Sequence, residues 1–347
     1  MKKVSFYLVL FVGCFLFISV CTGKDLALEF QAACELESLC WTADFYGAST
    51  GETLTFWENG KMLAENEEGD VYEVPITEAV LECETLNAAI IENIMKLTHL
   101  RSLFIQFTLA SQTSFPIQKL KQLVKLELWI DSENGTAIPI DWAKNIRASK
   151  TIRTLSLDFC GDPRFLSNIA KMKRLHSLTL HSDAENILPI LLPLKDTLRE
   201  LDLLSGSEPQ AGEVLKYFTQ LQVLSLECPA HEKQKIDPFL KAIRHLPLRC
   251  LWLFNGQIGF KGEKILREWK SLQEIVLPED FPDERFASLE QIQIPVQIFQ
   301  KNGSRDLEMR KKFFRNSRYN ELSRPFRLDA DGNYIHWSEL RGGIWVN

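Results

Sequence analysis

The unit LxxLxL recurs along this chain at a nearly fixed interval, and no other feature limits its fold so tightly. The copies are Leu100-Leu103-Ile105, Leu123-Leu126-Leu128, Ile152-Leu155-Leu157 and Leu175-Leu178-Leu180. They continue as Leu198-Leu201-Leu203, Leu221-Leu224-Leu226, Leu248-Leu251-Leu253 and Leu272-Ile275-Leu277. Successive starts lie 23, 29, 23, 23, 23, 27 and 24 residues apart. Chance does not produce so regular a spacing. The alternation at the end of each unit is that of a short strand with one apolar face, because successive strand side chains point to opposite sides. Between the strands, apolar residues take helical spacing: Leu166, Ile169 and Met172; Leu215 and Phe218; Ile265 and Trp269. A unit this short cannot bury its own apolar face. The units must stack into a curved solenoid, with the strands side by side and parallel. Ordinary strand–helix–strand units of a doubly wound sheet exceed about 30 residues, which sets that fold aside.

The pattern resembles the leucine-rich-repeat family, whose consensus is LxxLxLxxN/CxL. The resemblance covers residues 78–280, with an irregular first copy around Leu81 and Cys83. It implies an α/β leucine-rich-repeat solenoid: a curved parallel sheet, helical or irregular return segments, and N- and C-terminal caps. At the consensus Asn/Cys position stand Thr108, Asp131, Cys160, Asp183, Gly206, Pro229, Gly256 and Asp280, of which Cys160 alone matches. The repeats are therefore degenerate and assign no subfamily. The turn amides that this side-chain ladder normally satisfies need other partners.

The resemblance also implies where a ligand meets the chain, on the concave sheet and its rim loops. The repeat register sends Phe104, Glu127, Trp129, Asp158 and His181 outward from the first strands. From the later strands it sends Glu200, Asp202, Glu227, Trp252 and Phe254. The outward positions hold six carboxylates and one lysine, with large aromatics gathered at both ends. An acidic floor flanked by aromatics suits a basic or amphipathic protein, since aromatic anchors supply desolvated area and charge supplies steering. A glycan ranks below a protein as the partner, and nucleic acid ranks last. Trp252 and Phe254 read equally well as core under a C-terminal cap, and the carboxylates as solvated surface.

The ends frame this array. Lys2 and Lys3 precede an apolar run from Val4 to Val20, closed by Cys21-Thr22-Gly23 and the polar Lys24-Asp25. A basic start, an apolar stretch and small closing residues describe a secretory signal peptide over residues 1–23. The mature chain would then be secreted or held at the cell envelope, with no integral membrane span. A retained anchor is the alternative, and so is lipid attachment at Cys21, although Ile18 suits the bacterial lipoprotein motif and Val20, where it asks for a small residue, does not.

Residues 24–77 read as an N-terminal cap. It has a helix over Asp25–Cys40 with Leu28, Ala32, Leu36 and Leu39 on one face, then strands at Leu54–Trp57 and Val71–Val74 joined through Asn59-Gly60. Residues 281–347 read as a C-terminal cap or basic tail. Residues 301–327 carry a net charge of +6, leaving −14 on the rest of the mature chain. A self-docked segment and an anionic-surface binder both fit that stretch. Six cysteines follow residue 23, and Cys34 and Cys40 could pair with each other, or one of them with Cys83, or stay as buried thiols.

Catalytic and metal motifs give little. The string Gly47-Ala-Ser49-Thr-Gly51 matches GxSxG, yet a nucleophile elbow needs a strand before it and a helix after it, whereas strand-like Leu54–Trp57 follows. His176 and His181 are five apart on one strand and should point to opposite faces. Asp329–Asn333 lacks calcium-loop spacing and reads as a hairpin turn between Phe326-Arg-Leu328 and Tyr334–Trp337. The expected function is a non-enzymatic binding module without cofactor or metal. An enzyme with its site in the C-terminal region and a structural envelope protein are the competing readings.

Overall fold

The computed structural model describes residues 24–47, 54–66, 69–111, 114–130, 138–158, 163–181, 187–203, 211–226, 236–253, 257–277, 296–298, 326–328 and 334–336. The leader at residues 1–23, the ladder positions from Asp131 onward, both long insertions and most of the basic segment lie outside them.

The leucine strands form the spine. They are β5 (Ile76–Leu86), β6 (Ser102–Ala110), β7 (Lys125–Ile130), β8 (Thr154–Asp158) and β9 (Ser177–His181). The row goes on through β10 (Glu200–Leu203), β11 (Val223–Leu226), β12 (Cys250–Leu253), β13 (Glu274–Leu277) and β14 (Val296–Ile298). All pair in parallel and in sequence order. The chain is thus an α/β leucine-rich-repeat solenoid. Alternate leucines do what the two-residue period requires: Leu126, Leu128, Leu155, Leu157, Leu178, Leu180, Leu201 and Leu203 are all fully buried. β14 carries the sheet one strand past residue 280, where the leucine rhythm fades into Ile and Val.

Return segments close the core from the convex side. They include α2 (Ala88–Lys96), α3 (Ile140–Ala148), α4 (Pro163–Ile169), α5 (Ile187–Leu191), α6 (Ala211–Leu215), α7 (Asp237–Ile243) and α8 (Phe260–Glu268). Asn87 starts α2 by accepting a hydrogen bond from the Ile90 amide at 3.1 Å, satisfying one of the donors that a helix N-terminus leaves over. Trp142 of α3 is packed between Phe115 and Phe107, at centroid distances of 5.2 Å and 6.0 Å.

A backbone column extends the sheet ladder ahead of the strands. The amide just before each strand donates to the carbonyl at the same place in the previous unit: His176 to Arg153 (2.8 Å), Arg199 to His176 (2.7 Å), Gln222 to Arg199 (2.7 Å) and Arg249 to Gln222 (2.7 Å). These bonds satisfy backbone groups at the leading edge of the strands without any side chain.

The N-terminal region departs from the sequence expectation in three ways. First, helix α1 (Lys24–Leu39) buries Leu26, Phe30, Ala32, Ala33 and Leu36, so Ala32 and Leu36 of the expected face point inward while Leu28 and Leu39 are exposed. Glu29 is drawn inward with them. Its carboxylate is fully buried and accepts hydrogen bonds from Thr98 Oγ1 and the His99 amide, both at 3.0 Å, and lies 2.6 Å from His99 Nδ1. Second, residues after the helix form β1 (Thr42–Gly47), a strand the sequence reading had not placed, antiparallel to β5. Third, the partner across Asn59-Gly60 is the next segment, not Val71–Val74. Strand β2 (Leu54–Glu58) pairs with β3 (Lys61–Glu65), and β4 (Val71–Glu73) lies beyond it. Asn59 and Gly60 have φ of 51° and 74°, the left-handed pair that a two-residue hairpin of this twist requires.

A candidate partner-binding surface

Three rows of side chains cross the concave face, set by the strand register. One runs Asp44, Val80, Phe104, Glu127, Ser156, Thr179, Asp202, Ser225, Trp252. A second holds Thr42, Glu82, Gln106 and Trp129, and a third Tyr46, Glu78, Ser102 and Lys125. The rows differ along their length in one decisive respect, their access to solvent.

From β8 to β12 most of the described outward positions are shut away. Ser156, Ser177, Thr179, Ser225 and Cys250 are buried, and Glu200, Asp202 and Trp252 are only 4%, 5% and 6% exposed. The open acidic floor expected from Glu200 and Asp202 is therefore not what the structure has, and Trp252 is not a free anchor. Glu200 bridges two strands instead, accepting a hydrogen bond from Ser177 Oγ at 2.6 Å. A charged group held this way serves the sheet and is closed to a ligand. The side chains of Asp158, His181, Glu227 and Phe254 lie outside the described residues. His176 stands at the edge of β9. Burial, then the guanidiniums of Arg199 and Arg153, hold its imidazole below the ordinary range, so it is neutral near pH 7.

From β1 to β7 the same face is accessible. Phe104, Glu127 and Trp129 are half-buried, as are Glu78, Val80, Glu82 and Gln106, while Asp44 and Tyr46 are exposed. Phe104 and Trp129 sit on neighbouring strands with ring centroids 5.6 Å apart and planes tilted by 57°. The Trp129 indole N–H donates to Ser156 Oγ at 3.4 Å, which orients the ring over the sheet. Lys125 pairs with Glu127 at 2.5 Å along β7, and Thr42 Oγ1 donates to Glu82 Oε2 at 3.1 Å across β1 and β5. The outcome is an aromatic pair bordered by Asp44, Glu78, Glu82 and Glu127, with Lys125 the lysine among them.

Phe104, Glu127 and Trp129 were named from the sequence and stand together here. Asp44, Tyr46, Glu78 and Glu82 were missed. Their signal was present: Thr42-Ala-Asp-Phe-Tyr46 and Glu78-Ala-Val-Leu-Glu-Cys83 both alternate at the strand period. The first lies ahead of the repeats and the second is only an irregular copy around Leu81 and Cys83, so the repeat register does not extend to their outward residues.

Other candidate chemistry finds no support in the geometry. Gly47 is the last residue of β1, Ser49 lies outside the described residues, and a strand follows at Leu54 where an elbow needs a helix. Phe326–Leu328 (β15) pairs antiparallel with Tyr334–His336 (β16), as a hairpin around Asp329–Asn333 requires. Among the described residues no group of three or more His, Cys, Asp or Glu side chains is placed to hold a metal ion. No helix among them is long and apolar enough to cross a membrane.

No protein-family model matches the chain, and no curated protein matches it. Among solved structures it is similar to an internalin of Listeria monocytogenes, at 16% identity over 68% of this chain and 91% of that one, with a TM-score of 0.26. It is similar to internalin C2 of the same organism at 17% identity, over 65% of this chain and 81% of that one, with a TM-score of 0.30. A leucine-rich-repeat protein of Leptospira interrogans is 19% identical over 65% of this chain and 54% of its own length, with a TM-score of 0.33. It is the chain's own geometry, one parallel strand per unit stacked in sequence order, that makes it a leucine-rich-repeat solenoid.

Proposed function

We propose that this chain is an exported, non-enzymatic binding protein that recognises a protein partner through the first half of its concave sheet and the adjoining rim. The observation that carries the proposal is the accessible Phe104–Trp129 pair bordered by Asp44, Glu78, Glu82 and Glu127. Large aromatics fixed on a rigid sheet lose little entropy on docking, and alanine at such positions commonly costs 2 kcal/mol or more. The surrounding carboxylates favour a partner whose contacting segment is basic or amphipathic, and they act mainly on orientation and on-rate. The N-terminal apolar run supports export, which brings such a surface into contact with partners outside the cytoplasm.

The test begins by isolating a partner from secreted and surface fractions on immobilised residues 24–347, then measuring its affinity after purification. Trp129→Ala is expected to weaken the dissociation constant about 30-fold or more, with unchanged circular dichroism. Glu82→Lys should chiefly slow association, and the slowing should fade as salt is raised. A purified partner that binds Trp129→Ala as tightly as the wild type would exclude this face.

A further inference from the structure

The junction between the N-terminal helix and the repeat sheet contains two thiols that nothing in the proposed binding function uses. Cys40 directly follows α1, and its amide closes the last helical turn on the Leu36 carbonyl at 2.9 Å. The next residue, Trp41, donates its amide to the Glu82 carbonyl at 2.7 Å, and Thr42 then enters the antiparallel ladder opposite Glu82. Cys83 follows Glu82 on β5 and points inward with Ala79 and Leu81, 2% exposed. Cys40 packs against the same core from the bend between α1 and β1. The bonds of Trp41 and Thr42 to Glu82 thus hold the two main chains side by side and bring the two thiols next to each other.

We infer that Cys40 and Cys83 are a redox-active pair and close to a disulfide that ties the N-terminal helix to the first repeat strand. Alternatives on the cap are poorer. Cys34 is exposed on α1 beside Gly60, whose ideal Cβ would lie 2.9 Å from its sulfur, and no other cysteine is placed against it among the described residues. Cys250 is buried on β12, remote in the sheet order from both.

The electrostatics give the two sulfurs different parts. Hydrogen bonding to Cys83 pulls the Cys40 thiol below its ordinary range, against the opposing effect of burial. Hydrogen bonding to Cys40, then burial, then charge on Cys40 push Cys83 well above it. Cys40, half-buried where Cys83 is 2% exposed, is the sulfur that a small disulfide reaches, and as its thiolate it is the attacking group. It attacks a sulfur of a small disulfide such as oxidised glutathione, forming a mixed disulfide and releasing one glutathione thiolate. That leaving thiolate takes up the Cys83 proton. The Cys83 sulfur then attacks the Cys40 sulfur and expels the second glutathione as a thiolate, which picks up a proton from water. Two protein thiols are oxidised, and one glutathione disulfide is reduced to two thiols.

The experiment uses the chain from residue 24 to 347, reduced and then treated with oxidised glutathione, with alkylation before and after denaturation and non-reducing peptide mapping. In the wild type and in Cys34→Ser, the expected result is a cross-linked peptide containing Cys40 and Cys83, loss of both from alkylation, and a melting temperature higher by about 4–8 °C. In Cys83→Ser, a glutathione adduct should collect on Cys40. In Cys40→Ser, Cys83 should stay reduced until the chain is unfolded. Recovery of Cys40 and Cys83 as free thiols from treated wild type, or a cross-link from Cys34 to either of them, overturns the assignment. The peptide map of the wild type decides this even where a variant folds poorly. It is also independent of whether the concave face binds a partner.

Discussion

Trp142→Ala is expected to lower the free energy of unfolding by about 3–5 kcal/mol, the range for removing a large buried aromatic. Trp142 is 1% exposed and sits under the convex helix α3, edge-on to Phe115 and tilted against Phe107. Phe107 belongs to β6 and Phe115 to the segment that follows it. One ring therefore ties the helix of one unit to the strand and return segment of its neighbour. Deleting it removes transfer energy and leaves a cavity that a solenoid cannot collapse, because its unit spacing is fixed by the strand ladder. Trp142→Phe should cost less than half as much, since most of the ring contact survives. Urea unfolding followed by far-ultraviolet circular dichroism measures both. A loss under 1 kcal/mol for the alanine variant would show that the neighbouring units do not depend on this ring.

Glu29→Ala is expected to cost about 2–3 kcal/mol, and for a different reason. The Glu29 carboxylate is fully buried, and one of its oxygens serves Thr98 Oγ1, the His99 amide and the His99 ring. Alanine removes the shared acceptor, and because Thr98 is exposed and His99 half-buried, water recovers part of what these donors lose. Glu29→Gln keeps an acceptor oxygen and should recover a large part of the loss. The damage should be local. Hydrogen exchange should speed up in α1 and in the turn before β6, while amides of β9 to β12 keep their protection. Uniform loss of protection along the whole sheet would refute a local clamp.

Those two sites also show what could be read from the sequence and what could not. The leucine period determined the strands, their parallel order and which side chains face inward, because a two-residue period leaves no freedom once one face is apolar. Leu126, Leu178 and Leu201 stand where that reasoning puts them. The N-terminal region was less legible. The helix α1 has two apolar stripes, one through Leu28 and Leu39 and one through Leu26, Phe30 and Ala33. The buried one takes in Glu29, whose partners lie 69 and 70 residues away. No local pattern announces a polar residue as the buried one. The candidate surface divided in the same way. Register gave the outward direction of Phe104, Trp129, Glu200 and Asp202 alike, but exposure depends on what packs above the sheet, and direction carries no information about that. The first two remain reachable and the last two do not.

The reversed direction of β1 has a consequence for assembly. A stack of parallel strands with open ends is a template for itself: the last strand of one copy can extend the first strand of the next, and a head-to-tail contact of that kind does not close. Here the strand at that end of the sheet order, β1, runs against all the others, so joining β14 of one copy to it would make an antiparallel pair. A continuous parallel sheet therefore stops at the boundary of each molecule, whatever the copies do beyond it.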